Sequence, residues 1–109
     1  MNPVKVVREK TKKLTDLPNI GKSLADDLRS IGIDTPQMLK GKDPYELYQR
    51  LCEVTSSRQD PCVLDVFMSV TDFMNGNEPK VWWDYTDERK KRYGNGKKIA
   101  IFGLSQSNL

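Results

Sequence analysis

One stretch limits the folding of this chain more than any other: Leu17-Pro18-Asn19-Ile20-Gly21-Lys22-Ser23-Leu24-Ala25. Pro18 has no N–H to give to a helix and pushes the residue before it towards extended geometry. A helix must therefore end here. Gly21 admits backbone angles and close approaches that a Cβ would block. A second helix starts directly after it, because Leu24, Ala25, Leu28 and Ile31 share one face at the 3, 4, 7 spacing. Asp26, Asp27 and Arg29 fall on the other face, and Gly32 suits the helix end. The first helix of the pair is expected at Thr11 to Asp16, with Leu14 and Leu17 turned towards the second.

The amides of Ile20, Gly21, Lys22 and Ser23 open the second helix, where unpaired N–H groups and the helix dipole favour an anion. The stretch resembles a helix-hairpin-helix, a motif associated with sequence-independent contact to nucleic-acid backbone. The usual order is apolar-Pro-Gly-apolar-Gly, with a small residue four positions on. Ile20, Gly21 and Ala25 match it, and Asn19 replaces the first glycine. Asn tolerates left-handed geometry better than most residues, at the cost of a side chain close to an approaching phosphate. The resemblance implies nucleic-acid-binding residues Asn19, Ile20, Gly21, Lys22 and Ser23, with charge added by Lys12 and Lys13. The plain structural reading makes the same stretch a tight connector whose Ile20 plugs the core.

Beyond Gly32 the chain is punctuated by caps followed by proline. Asp34 or Thr35 precedes Pro36, Asp43 precedes Pro44 with Glu46 close behind, and Asp60 precedes Pro61. Each is a helix start with a side-chain acceptor and a residue that needs no hydrogen bond. Met38 and Leu39 are expected to close over the first helices. Leu47, Leu51 and Val54 line one face of the next helix, with Tyr45, Tyr48 and Cys52 beside them. From Cys62 to Met74 the stripe Val63, Val66, Phe67, Val70, Phe73 and Met74 is wide enough for a central packing element. Asn75-Gly76-Asn77 ends it. The run Asp87 to Arg92 is highly charged, and Lys97 to Leu104 reads as a strand, an edge addition or a disordered tail.

The chain has 109 residues and a net charge of +3, unevenly spread. Residues 1–13 sum to +4 and residues 89–109 to +6, while the 75 between them sum to −7. A body that bound duplex DNA unaided would be basic, so attraction has to come from the ends or from local amides. The chain has no histidine and two cysteines, Cys52 and Cys62. That argues against a zinc site and removes the commonest general base. The thiols are free and half-buried or, alternatively, joined. Cys62 at a helix N-terminus raises the alternative of a reactive thiol against that of a buried, inert one. No carboxylate pair or phosphate-cradling glycine loop supports catalysis. The expectation is no enzyme, no cofactor, no metal, no membrane span and a cytoplasmic location.

Together Leu17 to Ala25, Gly32-Ile33-Asp34-Thr35, Asp43 to Tyr48 and Arg58 to Leu64 resemble the bacterial pathogenicity-locus family. These are small helix-hairpin-helix proteins, some labelled mitomycin-resistance protein, and the likeness spans residues 11–85 with the Trp82-Trp83 pair. TfoX-type C-terminal domains and the C-terminal domain of RNA polymerase α have a similar arrangement. The resemblance implies an all-α, SAM-domain-like bundle of about five helices containing one helix-hairpin-helix. With the charge distribution, that span divides the chain into a basic arm at 1–10, the domain at 11–85 and a basic C-terminal extension at 86–109. Its partner is DNA, contacted non-specifically through the backbone, or else a protein, with the hairpin kept as scaffold. The candidates for a protein surface are Tyr45, Tyr48, Trp82, Trp83 and Ile99 to Leu104.

Overall fold

A computed structural model describes residues 6–93. The described chain is all-helical, with α1 (Lys22–Ser30), α2 (Pro44–Thr55), α3 (Pro61–Met74) and α4 (Thr86–Tyr93). Short 3-10 turns stand at Arg8–Lys10, Leu14–Asp16, Pro36–Leu39 and Trp82–Tyr85. No strand occurs among the described residues. The five expected helices are thus four α-helices and several turns. Residues 1–5 and 94–109 lie outside the described residues, and with them half of the basic arm and the strand-or-tail reading of Lys97 to Leu104.

The first helix of the expected pair is absent, and the single turn Leu14–Asp16 stands in its place. Six residues before a proline make too few hydrogen bonds to offset helix nucleation. The Asp16 carboxylate also accepts the amide protons of Lys12 and Lys13, at 3.0 and 2.9 Å. A side chain that takes backbone donors in this way competes with the helix for them. Those two hydrogen bonds hold the Asp16 carboxyl below its ordinary range.

Of the three cap-plus-proline starts two give α-helices, whereas Thr35 makes no side-chain cap and Pro36–Leu39 is only a 3-10 turn. Asp43 accepts from the Tyr45 amide and Asp60 from the Cys62 amide, each at 3.0 Å, with Pro44 and Pro61 in first position. Three helices end alike, through a residue at positive φ that lets the next amide reach back over the last turn. Gly32 (φ 92°) lets Ile33 donate to Leu28, Ser56 (φ 52°) lets Ser57 donate to Cys52, and Gly76 (φ 111°) lets Asn77 donate to Asp72.

Helix α3 is the axis of the bundle, buried from Leu64 to Met74 except at half-buried Asp72. It packs on α2 on one side and on the Trp82–Tyr85 turn and α4 on another. Val54 does not join the core. The buried stripe of α2 is Leu47, Tyr48, Leu51 and Cys52, and Val54 falls off its edge at 55% exposure. Leu39 closes over the core as expected, whereas Met38 faces outward. The cysteines are free thiols, Cys52 buried and Cys62 half-buried.

The ordered domain continues past residue 85. In α4, Arg89 is buried and donates through Nε to Asp65 at 2.7 Å, while the Thr86 hydroxyl donates to the other Asp65 oxygen at 2.8 Å. Asp65 is wholly buried in the middle of α3. Tyr93 stacks flat on Tyr45 of α2, ring centres 4.7 Å apart. At the other end Arg8 donates to the carbonyls of Phe73 and Asn77, at 2.7 and 2.6 Å, and lies over the Phe73 ring. That cation sits at the C-terminal end of α3, where the helix dipole favours it. Arg8 therefore serves the fold.

Candidate nucleic-acid interface

The connector at residues 17–21 and the first turn of α1 form a stretch with two faces. The inner face is core: Leu17, Ile20 and Ala25 are fully buried, together with Leu14 and Leu28. Asn19 takes the left-handed conformation, φ 67°, in the place of the motif's glycine. Its side chain turns inward. The amide nitrogen donates to Ser69 Oγ at 3.1 Å and to the Lys80 carbonyl at 2.9 Å. Ser69 gives its own proton to the Val66 carbonyl at 2.7 Å, which leaves a lone pair for Asn19. The side chain expected near an approaching phosphate is thereby tied to α3.

The outer face is Gly21, Lys22 and Ser23, all exposed. Gly21 is the N-cap of α1 and carries no side-chain cap. The first intrahelical bond comes from Ala25, whose amide donates to the Gly21 carbonyl at 3.0 Å. Among the described residues no acceptor faces the amides of Gly21, Lys22, Ser23 or Leu24. Ile20 differs from the expectation, since its amide points back to the Leu17 carbonyl at 3.4 Å and its side chain is buried. The open set is one residue further along than the sequence suggested. It is the dipole-positive end of a nine-residue helix with four unanswered donors.

Gly21 itself is informative. Gly32, Gly41 and Gly76 all have positive φ, whereas Gly21 has φ −96° and ψ −171°, open to any residue. A Cβ there would meet nothing within 4 Å. The fold does not demand a glycine at this position; what the glycine leaves clear is the space in front of the open amides.

Lys22 extends from this face, and Lys12 and Lys13 are exposed on the preceding turn. Among the described residues no hydrogen bond or ion pair joins Lys12 or Lys13 to residues 19–23. Of the aromatic candidates, Tyr48 is wholly buried, Tyr45 is covered by Tyr93, Trp82 is half-buried and Trp83 is 59% exposed. Burial, helped by a hydrogen bond with Asp60, pushes the Cys62 thiol up to about 11. A thiol so placed is protonated near neutral pH and a poor nucleophile. No group of three or more His, Cys, Asp or Glu side chains able to hold a metal occurs among the described residues. No helix there is long and apolar enough to cross a membrane.

Fold and loop together define a small all-α protein built around one turn–loop–helix with open amides at the helix start. Residues 7–91 match the model of the pathogenicity locus family, Cdd1. The chain belongs to that family. It is 44% identical over 78 residues to the mitomycin resistance protein McrB of Streptomyces lavendulae, across 72% of this chain and 74% of the relative. No solved structure matches the chain, and the likeness to TfoX-type domains remains an expectation.

Proposed function

We propose that this protein binds nucleic-acid backbone, DNA above all, without regard to sequence, through the amides of Gly21 to Leu24 with Lys22 and Ser23. It acts in the cytoplasm as an accessory of DNA metabolism and catalyses no reaction. The observation that carries the reading is Gly21, an uncapped helix start kept free of a side chain that the backbone would accept. Lys22 adds a cation, and Ser23 a hydroxyl donor, to the same exposed lip. Such contacts position a protein and read no base. A relative named for mitomycin resistance extends the reading to tolerance of that drug, which survival of cells expressing this chain would measure.

The test is binding of labelled single- and double-stranded DNA across a salt series. Affinity at the loop should fall with rising salt, and a Lys97→Gln/Lys98→Gln double variant of the full chain should keep most of it. Binding abolished by that double variant would assign the attraction to a generic polycation and remove the loop from the account.

One observation favours a second reading. Leu17, Ile20 and the Asn19 side chain are all committed to the interior, so the loop would be retained as scaffold even without a ligand. In that reading the protein is an adaptor, its acidic body meets a basic partner protein, and DNA affinity is negligible at every salt concentration.

A further inference from the structure

Trp83 is the one aromatic side chain among the large exposed hydrophobics of the described residues. The half-buried Trp82 meets it edge to face, ring centres 5.5 Å apart, and limits its swing. The segment that carries it is attached to the loop: Asn19 bonds at once to Ser69 of α3 and to the carbonyl of Lys80, three residues before Trp83. The loop and the entry to the Trp82–Tyr85 turn therefore meet over one part of α3. From Gly21 to Asn19, across that hydrogen bond and on to Trp83, the path is about 28 Å at most, from 3.8 Å per residue and about 9 Å for the crossing. A strand rising 3.4 Å per nucleotide covers that distance in about eight nucleotides. Each end carries an exposed cation: Lys22 in the loop, and Lys80 three residues before Trp83, its ammonium 5.7 Å from the centre of the Tyr85 ring.

We infer that Trp83 stacks on an unpaired base of a DNA strand whose backbone lies on the Gly21–Leu24 amides, so that the ligand is single-stranded or frayed DNA. The inference rests on the backbone site proposed above and specifies its substrate. Bases in a closed duplex have their faces occupied by neighbours, whereas an unpaired base offers a π-face that an indole accepts whatever the sequence. Asp84, exposed beside Trp83, repels phosphate from this end, which leaves the base as the group that meets the ring.

The experiment compares a labelled oligothymidine single strand with a blunt duplex on four full-length proteins. These are the unaltered chain, Trp83→Leu, Trp83→Tyr and Gly21→Asp, each checked by thermal melting. Leu and Tyr both keep apolar packing, but only Tyr keeps a stacking face. Trp83→Leu should weaken single-strand binding by about five- to a hundredfold and leave duplex binding essentially unchanged, with Trp83→Tyr recovering most of the loss. Equal losses on both substrates, no loss on either, or no recovery with Tyr overturns the stacking role and leaves the backbone site standing. Gly21→Asp without effect on either substrate overturns the backbone site, and this inference with it.

Discussion

Gly21→Asp separates stability from binding at one position. Gly21 caps α1 with backbone angles that Asp adopts freely, and a Cβ there meets nothing. The chain already shows what Asp does at such a site: Asp43 and Asp60 each accept the amide two residues on, at 3.0 Å. By the same geometry the new carboxylate would take the Ser23 amide. A cap gains a few tenths of a kcal/mol over Gly. The charge against the helix dipole adds about 0.3–1 kcal/mol, and the loss of glycine's freedom in the unfolded chain adds about 0.4–1 kcal/mol. The sum is about 1–2 kcal/mol of added stability, or about 4–16 °C in Tm for a domain of this size.

The same carboxylate occupies the donors and the charge that a phosphate would use. Backbone binding at the loop should fall about tenfold or more at low salt, and the slope of log affinity against log salt should shrink by about one. Urea denaturation and fluorescence anisotropy on one protein sample read both quantities. A more stable variant that binds DNA unchanged refutes the assignment of these amides to phosphate. A less stable variant refutes the account of α1's start, whatever happens to binding.

Ser56 adopts φ 52° at the end of α2, so Ser56→Gly should relieve left-handed strain and raise stability by about 0.5–1 kcal/mol, read as a higher urea midpoint at constant slope. Asn19→Ala should cost about 2–3 kcal/mol, two hydrogen bonds and a strained φ, while Asn19→Gly loses only the bonds and should cost about half as much. If the two variants melt together, the left-handed backbone carries no cost here. The Cys62 amide holds the Asp60 carboxyl below its ordinary value, so its stabilisation is present above about pH 4 and lost as pH falls. Asp60→Asn should flatten the acid limb of a Tm-against-pH curve. Arg89→Met should cost about 3–5 kcal/mol by leaving the buried Asp65 side chain without its ion-pair partner, and a Tm drop under about 5 °C would contradict it.

What was legible in the sequence was local. Asp43-Pro44 and Asp60-Pro61 announced α2 and α3 because cap and proline act within three residues, and the ends at Gly32 and Gly76 were equally local. The all-α class came with the family resemblance, and these local signals agree with it. Asn19 at positive φ was readable as well, since the motif's glycine had to be replaced by a residue that bears that geometry. The destination of its side chain was not readable. Ser69 and Lys80 lie 50 and 61 positions away, and no spacing rule connects them. The turn at Leu14–Asp16 was missed because a helical pattern of six residues says nothing of an aspartate that captures the amides of Lys12 and Lys13.

The Asp65–Arg89 pair marks where a charge pattern misleads. Asp87 to Arg92 looks like a solvated run, and an extension from residue 86 was the natural division. Yet a signal was present, an aspartate in the middle of the most apolar helix, which cannot stay there charged without a partner. Asking what Asp65 pairs with leads to the cations of the following helix, and Arg89 supplies one donor through Nε while Thr86 fills the second oxygen. The turn that precedes α4 carries Trp83 and begins two residues after Lys80, the residue held by Asn19. Both ends of the 80–93 segment are thus pinned to α3, at Ser69 through Asn19 and at Asp65 through Arg89. A truncation at Glu88 would remove Arg89, leave Asp65 buried without its ion-pair partner, and loosen the segment that carries Trp83. Loss of single-strand binding in such a fragment would therefore report a broken ion pair as readily as a lost basic tail, and only the full-length variants distinguish the two.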